Sequence, residues 1–247
     1  MPRELTASGH VVRCVQVGDC ILYLGDALDI LPGLVGVADL CVTDPPYQLT
    51  SGGATPGAMG GKFDVAVYDN TGLLMETVRW QEIGGPIFRA LKKDADCYVM
   101  ADDKNLFAAH AGFLGAGFKF HGLLSWDKIA PVRSRYYMKH QEFTLYLWKG
   151  TARDIAHGGD KRGQAMPRPK GAVHDTQKPV PLMEMYIRNS TRPGQLVIDP
   201  FMGSGTTLVA AVQLGRKAIG IEKEPENFEA ALIRVQDAVR AGQESVA

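Results

Sequence analysis

Seven short apolar runs alternate with helical stretches along this chain, and that alternation narrows its fold more than any other feature. Residues 20–25 (CILYLG), 38–43 (ADLCVT) and 95–101 (ADCYVMA) read as buried strands, followed by 118–126 (FKFHGLLSW), 142–148 (EFTLYLW), 195–199 (QLVID) and 217–222 (KAIGIE). Between them, 73–91, 104–114, 181–189, 206–214 and 225–239 read as helices, several opening at Pro or Thr as helix N-termini often do. Strands interleaved with helices predict an α/β fold, a doubly wound and mostly parallel sheet of seven strands. No helix separates 118–126 from 142–148, so these two strands are expected to form an antiparallel hairpin at one edge. At 247 residues the chain suits one domain over 1–247.

Two segments fit neither pattern. Residues 49–72 are rich in Gly, Ser and Thr, and 151–173 in Gly, Pro, Lys and Arg. Loops of this length inside a domain are uncommon unless they are functional or disordered.

Lys plus Arg number 27 and Asp plus Glu 27, which argues against a diffuse polyanion binder. The charge is nevertheless uneven, because residues 119–178 carry a surplus of roughly +7. A basic face on a neutral protein is a solvated loop or a grip for phosphates. No apolar run approaches the roughly 20 residues needed to cross a bilayer, so a soluble, unexported, cytoplasmic protein with no membrane partner is expected. The four cysteines show no CxxC pairing and read as reduced thiols, and no His/Cys cluster suggests a metal.

Two stretches carry chemistry. In "VIDPFMGSGTT" (197–207) an acid, Asp199, ends a strand, Gly203-Ser204-Gly205 makes a tight turn, and a helix follows. Such a turn lets a ligand press against backbone amides, with the helix directing its positive end at it. The next strand ends in Glu222, well placed to accept hydrogen bonds from ribose hydroxyls. ATP of the P-loop kind is disfavoured because no Gly-Lys-Ser/Thr follows the turn, and a dinucleotide because the third glycine is missing and Asp199 would face a pyrophosphate. S-adenosylmethionine has no phosphates and carries an amino group, for which Asp199 is a good partner. A purely structural turn is the bland alternative. The second stretch, "VTDPPYQLTSGG" (42–53), ends a strand with Asp44, Pro45, Pro46 and Tyr47. Two prolines stiffen such a corner, which is in isolation as consistent with a plain turn as with a site.

With both stretches in view the chain resembles the beta-class DNA amino-methyltransferases, in which a [DNS]PP[YFW] stretch precedes an FxGxG stretch, a circular permutation relative to other methyltransferases. Asp44-Pro45-Pro46-Tyr47 here precedes Phe201-Met202-Gly203-Ser204-Gly205. "LYLGDALDIL" (22–31), "HDTQKPVPLME" (174–184) and "WDKIAPVRSRYYMKHQEFTLYLWKG" (126–150) resemble further family stretches, Asp175 standing where the family commonly has Pro. The likeness runs from about residue 18 to 239.

The resemblance implies a Rossmann-like methyltransferase sheet and transfer of a methyl group from S-adenosylmethionine to the N6 amine of an adenine flipped out of duplex DNA. Cytosine-N4 is the nearest alternative; a protein or RNA amine, and a non-catalytic DNA-binding module, are more distant ones. Asp44 and the Pro45 carbonyl would accept from the amine N–H groups, Pro46 would keep the corner rigid and Tyr47 would stack on the base. Cofactor contacts are implied at Asp26, Ala27, Asp44, Gln177, Lys178, Asp199, Phe201, Gly203, Ser204, Gly205, Thr206, Thr207, Glu222 and Lys223. Arg133, Arg135, Lys139 and His140 are candidates for DNA contact, residues 49–72 for a mobile DNA-facing loop and 149–173 for a small target-recognition insertion. Partners that fit the family are double-stranded DNA, a second copy of the chain and a companion restriction endonuclease.

Overall fold

The apolar runs become neighbours in space by pairing across long sequence distances. The computed structural model describes residues 5–7, 10–46, 78–132, 137–169 and 177–244. Its strands are β1 (Leu5–Ala7), β2 (His10–Val17), β3 (Cys20–Leu24), β4 (Ala38–Thr43), β5 (Leu91–Ala101), β6 (Lys119–Val132), β7 (Lys139–Trp148), β8 (Gly163–Ala165), β9 (Leu196–Asp199) and β10 (Lys217–Glu222). Its helices are α1 (Ala27–Ile30), α2 (Trp80–Ala90), α3 (Leu106–Gly115), α4 (Val180–Ser190), α5 (Thr206–Gln213) and α6 (Pro225–Glu244), with a 3-10 turn at Leu31–Gly33. The strands form one sheet in the order β1-β2-β3-β10-β9-β4-β5-β7-β6-β8.

Strands β3, β10, β9, β4 and β5 are mutually parallel and buried on both faces, which is why they read as continuous apolar runs. Successive side chains still alternate. On β5, Cys97, Val99 and Ala101 join the core beneath α1, α2 and α3, while Tyr98 and Met100 join the core beneath α4, α5 and α6. The tyrosine face is unusual: Tyr98 stacks on Tyr146 of β7 at 4.8 Å and on Tyr186 of α4 at 4.6 Å. That stack fastens α4 across two strands.

From β4 the chain runs through α2 to β5 on one side, and from β9 through α5 to β10 on the other. The two paths diverge at the β4–β9 boundary and leave a crevice at the carboxyl ends of those strands, where open α/β sheets place ligands.

All seven expected strands are present, and the sheet is larger than expected. β2 pairs antiparallel with β3 and extends the sheet on that side, and β1 pairs with β2. The β6–β7 hairpin is antiparallel as anticipated but is not the outermost element, because β8 pairs with the far side of β6. β8 comes from the segment expected to be loop. That segment is tied down: Ser125 N–H donates to Arg162 O (2.9 Å), Met166 N–H to Asp127 O (3.0 Å) and the Trp126 indole N–H to Met166 O (2.8 Å). The helix expected at 73–91 is described from Trp80, and α6 continues to Glu244. Residues 49–72, Tyr47, Arg133 and Arg135 lie outside the described residues. Among the described residues no helix is long and apolar enough to cross a membrane, no His/Cys/Asp/Glu group could hold a metal ion, and the four cysteines are free.

Candidate functional site

The corner after β4 is held from both sides. Thr43, fully buried, donates its hydroxyl to Asp199 Oδ1 (2.8 Å) and so clasps the ends of β4 and β9, while Pro46 O accepts the Val78 N–H (3.0 Å) at the approach to α2. Asp44 leaves this corner half-buried. Its Oδ2 meets the Nζ of Lys178, and its Oδ1 is shielded from solvent with no hydrogen-bond partner among the described residues. A carboxylate oxygen in that condition is costly unless something fills the gap.

Lys178, buried just ahead of α4, also lies 3.2 Å from Glu142 Oε2 on β7, and Glu142 Oε1 lies 2.7 Å from Lys128 Nζ on β6. Acid and base therefore alternate through Asp44, Lys178, Glu142 and Lys128. The two acids of that chain are driven apart. Burial pushes the Asp44 carboxyl up, with Lys178 opposing and Glu142 and Asp102 adding to the rise. Burial acts the same way on Glu142, but the two flanking lysines outweigh it and hold that carboxyl at about 2.

Across the crevice the glycine turn is built from backbone. Gly203 (φ +52°) and Gly205 (φ +80°) both adopt left-handed conformations. A Cβ on Gly205 would stand 3.0 Å from Ala231 Cβ of α6, whereas one on Gly203 would enter space with no atom within 4 Å. The turn is braced from α6, where Arg234 Nη1 donates to Ser204 O (2.6 Å), Ser204 Oγ (2.8 Å) and Thr206 Oγ1 (3.2 Å). Glu222 Oε2 accepts the Gly203 N–H (2.9 Å) and its Oε1 the Glu224 N–H (2.8 Å); burial raises this carboxyl. Asp199 Oδ1 accepts from Phe201 N–H (3.1 Å) as well as Thr43, and burial pushes its carboxyl up to about 6 against the bonds from Thr207 and Thr43.

On the outer side Asp26 caps α1, its Oδ1 accepting the Leu28 N–H (2.8 Å), and Lys223 Nζ lies 3.4 Å from its Oδ2. Asp26, Glu222, Asp199 and Asp44 thus stand at the carboxyl ends of β3, β10, β9 and β4, four adjacent strands. A ring of four acids repels phosphate and suits hydroxyls and ammonium groups. With the open space over Gly203, these residues fit S-adenosylmethionine better than a nucleotide di- or triphosphate.

The other expected residues are distributed unevenly. Ala27, Thr206 and Thr207 are buried at the starts of α1 and α5, Phe201 is half-buried in the turn, and Gln177 precedes Lys178. Lys139 Nζ lies 3.1 Å from Asp103, and His140 Nε2 3.9 Å from Asp127 Oδ2, both at the start of β7. Thr43, Lys128, Glu142 and Arg234 were not among the expected site residues. Two signals were available for Lys128 and Glu142: both lie in the family-like stretch 126–150, and Glu142 is a charge opening the apolar strand run "EFTLYLW".

A family model described as DNA methylase, covering N6 and N4 enzymes, matches residues 38–232. The chain belongs to the N6/N4 DNA methylase family. This methylase is 27% identical over 223 residues to the Type II methyltransferase M2.DpnII of Streptococcus pneumoniae, an alignment covering 80% of this chain and 82% of the relative. The crystal structure of the M1.HpyAVI–SAM complex superposes with a TM-score of 0.67 at 25% identity, covering 87% of this chain and 99% of that one. The PvuII cytosine-N4-specific DNA methyltransferase shares the fold, with a TM-score of 0.70 at 18% identity over 91% of this chain and 93% of that one. The methylase sheet is therefore common to these proteins.

Proposed function

We propose that this methylase moves a methyl group from S-adenosylmethionine to the exocyclic N6 amine of an adenine swung out of duplex DNA. The observation that carries it is the shielded Oδ1 of Asp44, which has no hydrogen-bond partner among the described residues and belongs to the strand end beside β9, from which the glycine turn departs. The amine lone pair is delocalised into the purine ring, so the nitrogen is a poor nucleophile until its N–H groups are drawn off the ring plane. S-adenosylmethionine supplies, when bound, a sulfonium methyl that passes to this nitrogen as the carbon–sulfur bond breaks and leaves its electrons on sulfur.

The chain's own residues orient the amine and take its proton. Asp44 Oδ1 and the Pro45 carbonyl accept from the two N–H groups, and Pro45 and Pro46 hold both acceptors on aim. The departing N–H proton passes to Asp44 Oδ1, whose raised carboxyl suits a proton acceptor better than an ordinary aspartate. Tyr47 offers a face for the base. Asp26, Ala27, Gln177, Asp199, Phe201, Ser204, Gly205, Thr206, Thr207 and Lys223 shape the cofactor seat around Gly203, and Glu222 keeps lone pairs for the ribose. Arg133, Arg135, Lys139 and His140 contact the duplex, and residues 49–72 and 149–173 choose the target sequence. Type II relatives support a companion restriction endonuclease; a homodimer is the partner state to test alongside it.

The test is incubation with duplex DNA and the cofactor, digestion to nucleosides and mass spectrometry. N6-methyladenine is expected, and N4-methylcytosine would overturn the choice of base. Asp44→Asn should slow transfer by about 10²–10⁴-fold with cofactor affinity little changed. Full activity in that variant ends the proposed chemistry.

A further inference from the structure

Resting on Asp44 as the proton acceptor, we propose that Glu142 is the reserve counter-ion of Lys178: it keeps the lysine's charge paired when Asp44 becomes neutral. As the amine N–H bond breaks and the Oδ1–H bond forms, Asp44 loses the charge that faced Lys178 Nζ. A buried cation left without an anion is strongly unfavourable. Glu142 Oε2, 3.2 Å from the same Nζ, is already in place to hold it, and Lys128 at 2.7 Å holds Glu142 in turn. Lys178 thus sits between an acid that changes charge and one that does not, which is the division of labour that separated carboxyl groups allow. The groups facing Asp44 come from every adjoining element: Lys178 ahead of α4, Glu142 on β7 backed by Lys128 on β6, Asp102 after β5, and Asp199 at the end of β9.

A simple structural brace is the competing account. It predicts that loosening any member harms folding and, in variants that fold, leaves the saturated transfer rate in place. The reserve counter-ion predicts shifts of opposite sign. Removing the Glu142 charge takes a repelling neighbour from Asp44 and leaves the pull of Lys178 less opposed, so Asp44 holds its proton less tightly and its titration moves to lower pH. Removing the Lys128 charge does the reverse.

The experiment uses the full chain. In cofactor-free protein, ¹³C NMR of the Asp44 carboxyl should show its midpoint lowered in Glu142→Gln and raised in Lys128→Gln. Single-turnover methyl transfer at saturating DNA and cofactor should fall about ten- to a hundredfold in Glu142→Gln, less than loss of the acceptor itself costs. Its acid limb should move to lower pH with cofactor affinity unchanged, and Glu142→Asp should recover part of the rate. If Glu142→Gln does not fold, the Lys128→Gln titration decides alone. Unmoved midpoints in folded variants overturn the reserve role while Asp44 keeps its own; an active Asp44→Asn overturns both.

Discussion

The two halves of the crevice are made of different material. The turn at 200–205 is backbone, with two left-handed glycines and the start of α5 contiguous in sequence. The corner half is a line of side chains, Asp44, Lys178, Glu142 and Lys128, drawn from four elements, with Asp44 and Lys178 134 positions apart. Backbone fixes shape at little electrostatic cost and serves a seat. Charged side chains can change protonation state and serve proton movement. The first kind of half survives many substitutions at neighbouring side chains, while the second fails when one charge is lost.

That contrast can be broken most sharply at the turn. Gly203→Val places a β-branched residue at φ +52° and fills the open space above the turn, so cofactor affinity should fall about a thousandfold or more by isothermal titration. Unchanged affinity would mean that the turn is not the seat. A smaller effect comes from Asp199, which lies between the halves. Its folded carboxyl titrates near 6 and its unfolded one near the ordinary carboxylate value, so the folded state holds the proton longer. The protonated form's contribution is therefore full below about pH 4 and is lost as pH rises to about 6, on the order of 2–3 kcal/mol. Denaturant unfolding of Asp199→Asn should lack that decline; parallel curves for the two proteins would refute it. The smallest effect sharpens the comparison, since Arg234 is a side chain from the distant α6 on which the turn leans. Arg234→Met removes charge-assisted bonds to Ser204 and Thr206 and should weaken the cofactor about tenfold, leaving the saturated transfer rate intact. A changed rate with unchanged affinity would move Arg234 to the other half.

Legibility follows the same division. The strands buried on both faces, the glycine turn and the acid at the end of β10 announce themselves within a few residues, because their physics is local. β2 carries a usable signal in its valines at 11, 12, 15 and 17, although it is not among the seven expected strands. β8, three residues of Gly, Gln and Ala, carried none and exists by pairing with β6. Lys178 was legible as a site residue, but its partners were not: nothing near 178 names Glu142 or Lys128, which reach it through the packing of α4 on the sheet. Thr43 looked like an ordinary strand end until β9 came alongside.

The brace from Arg234 bears on how such a chain matures at the ribosome. The corner is among the earlier segments to emerge, the turn follows some 160 residues later, and the guanidinium that steadies the turn comes about 30 residues after that. A nascent chain holding every strand of the sheet but not yet α6 would own the acid and the glycines and still grip its donor poorly, so tight binding doubles as a signal that synthesis has passed α6.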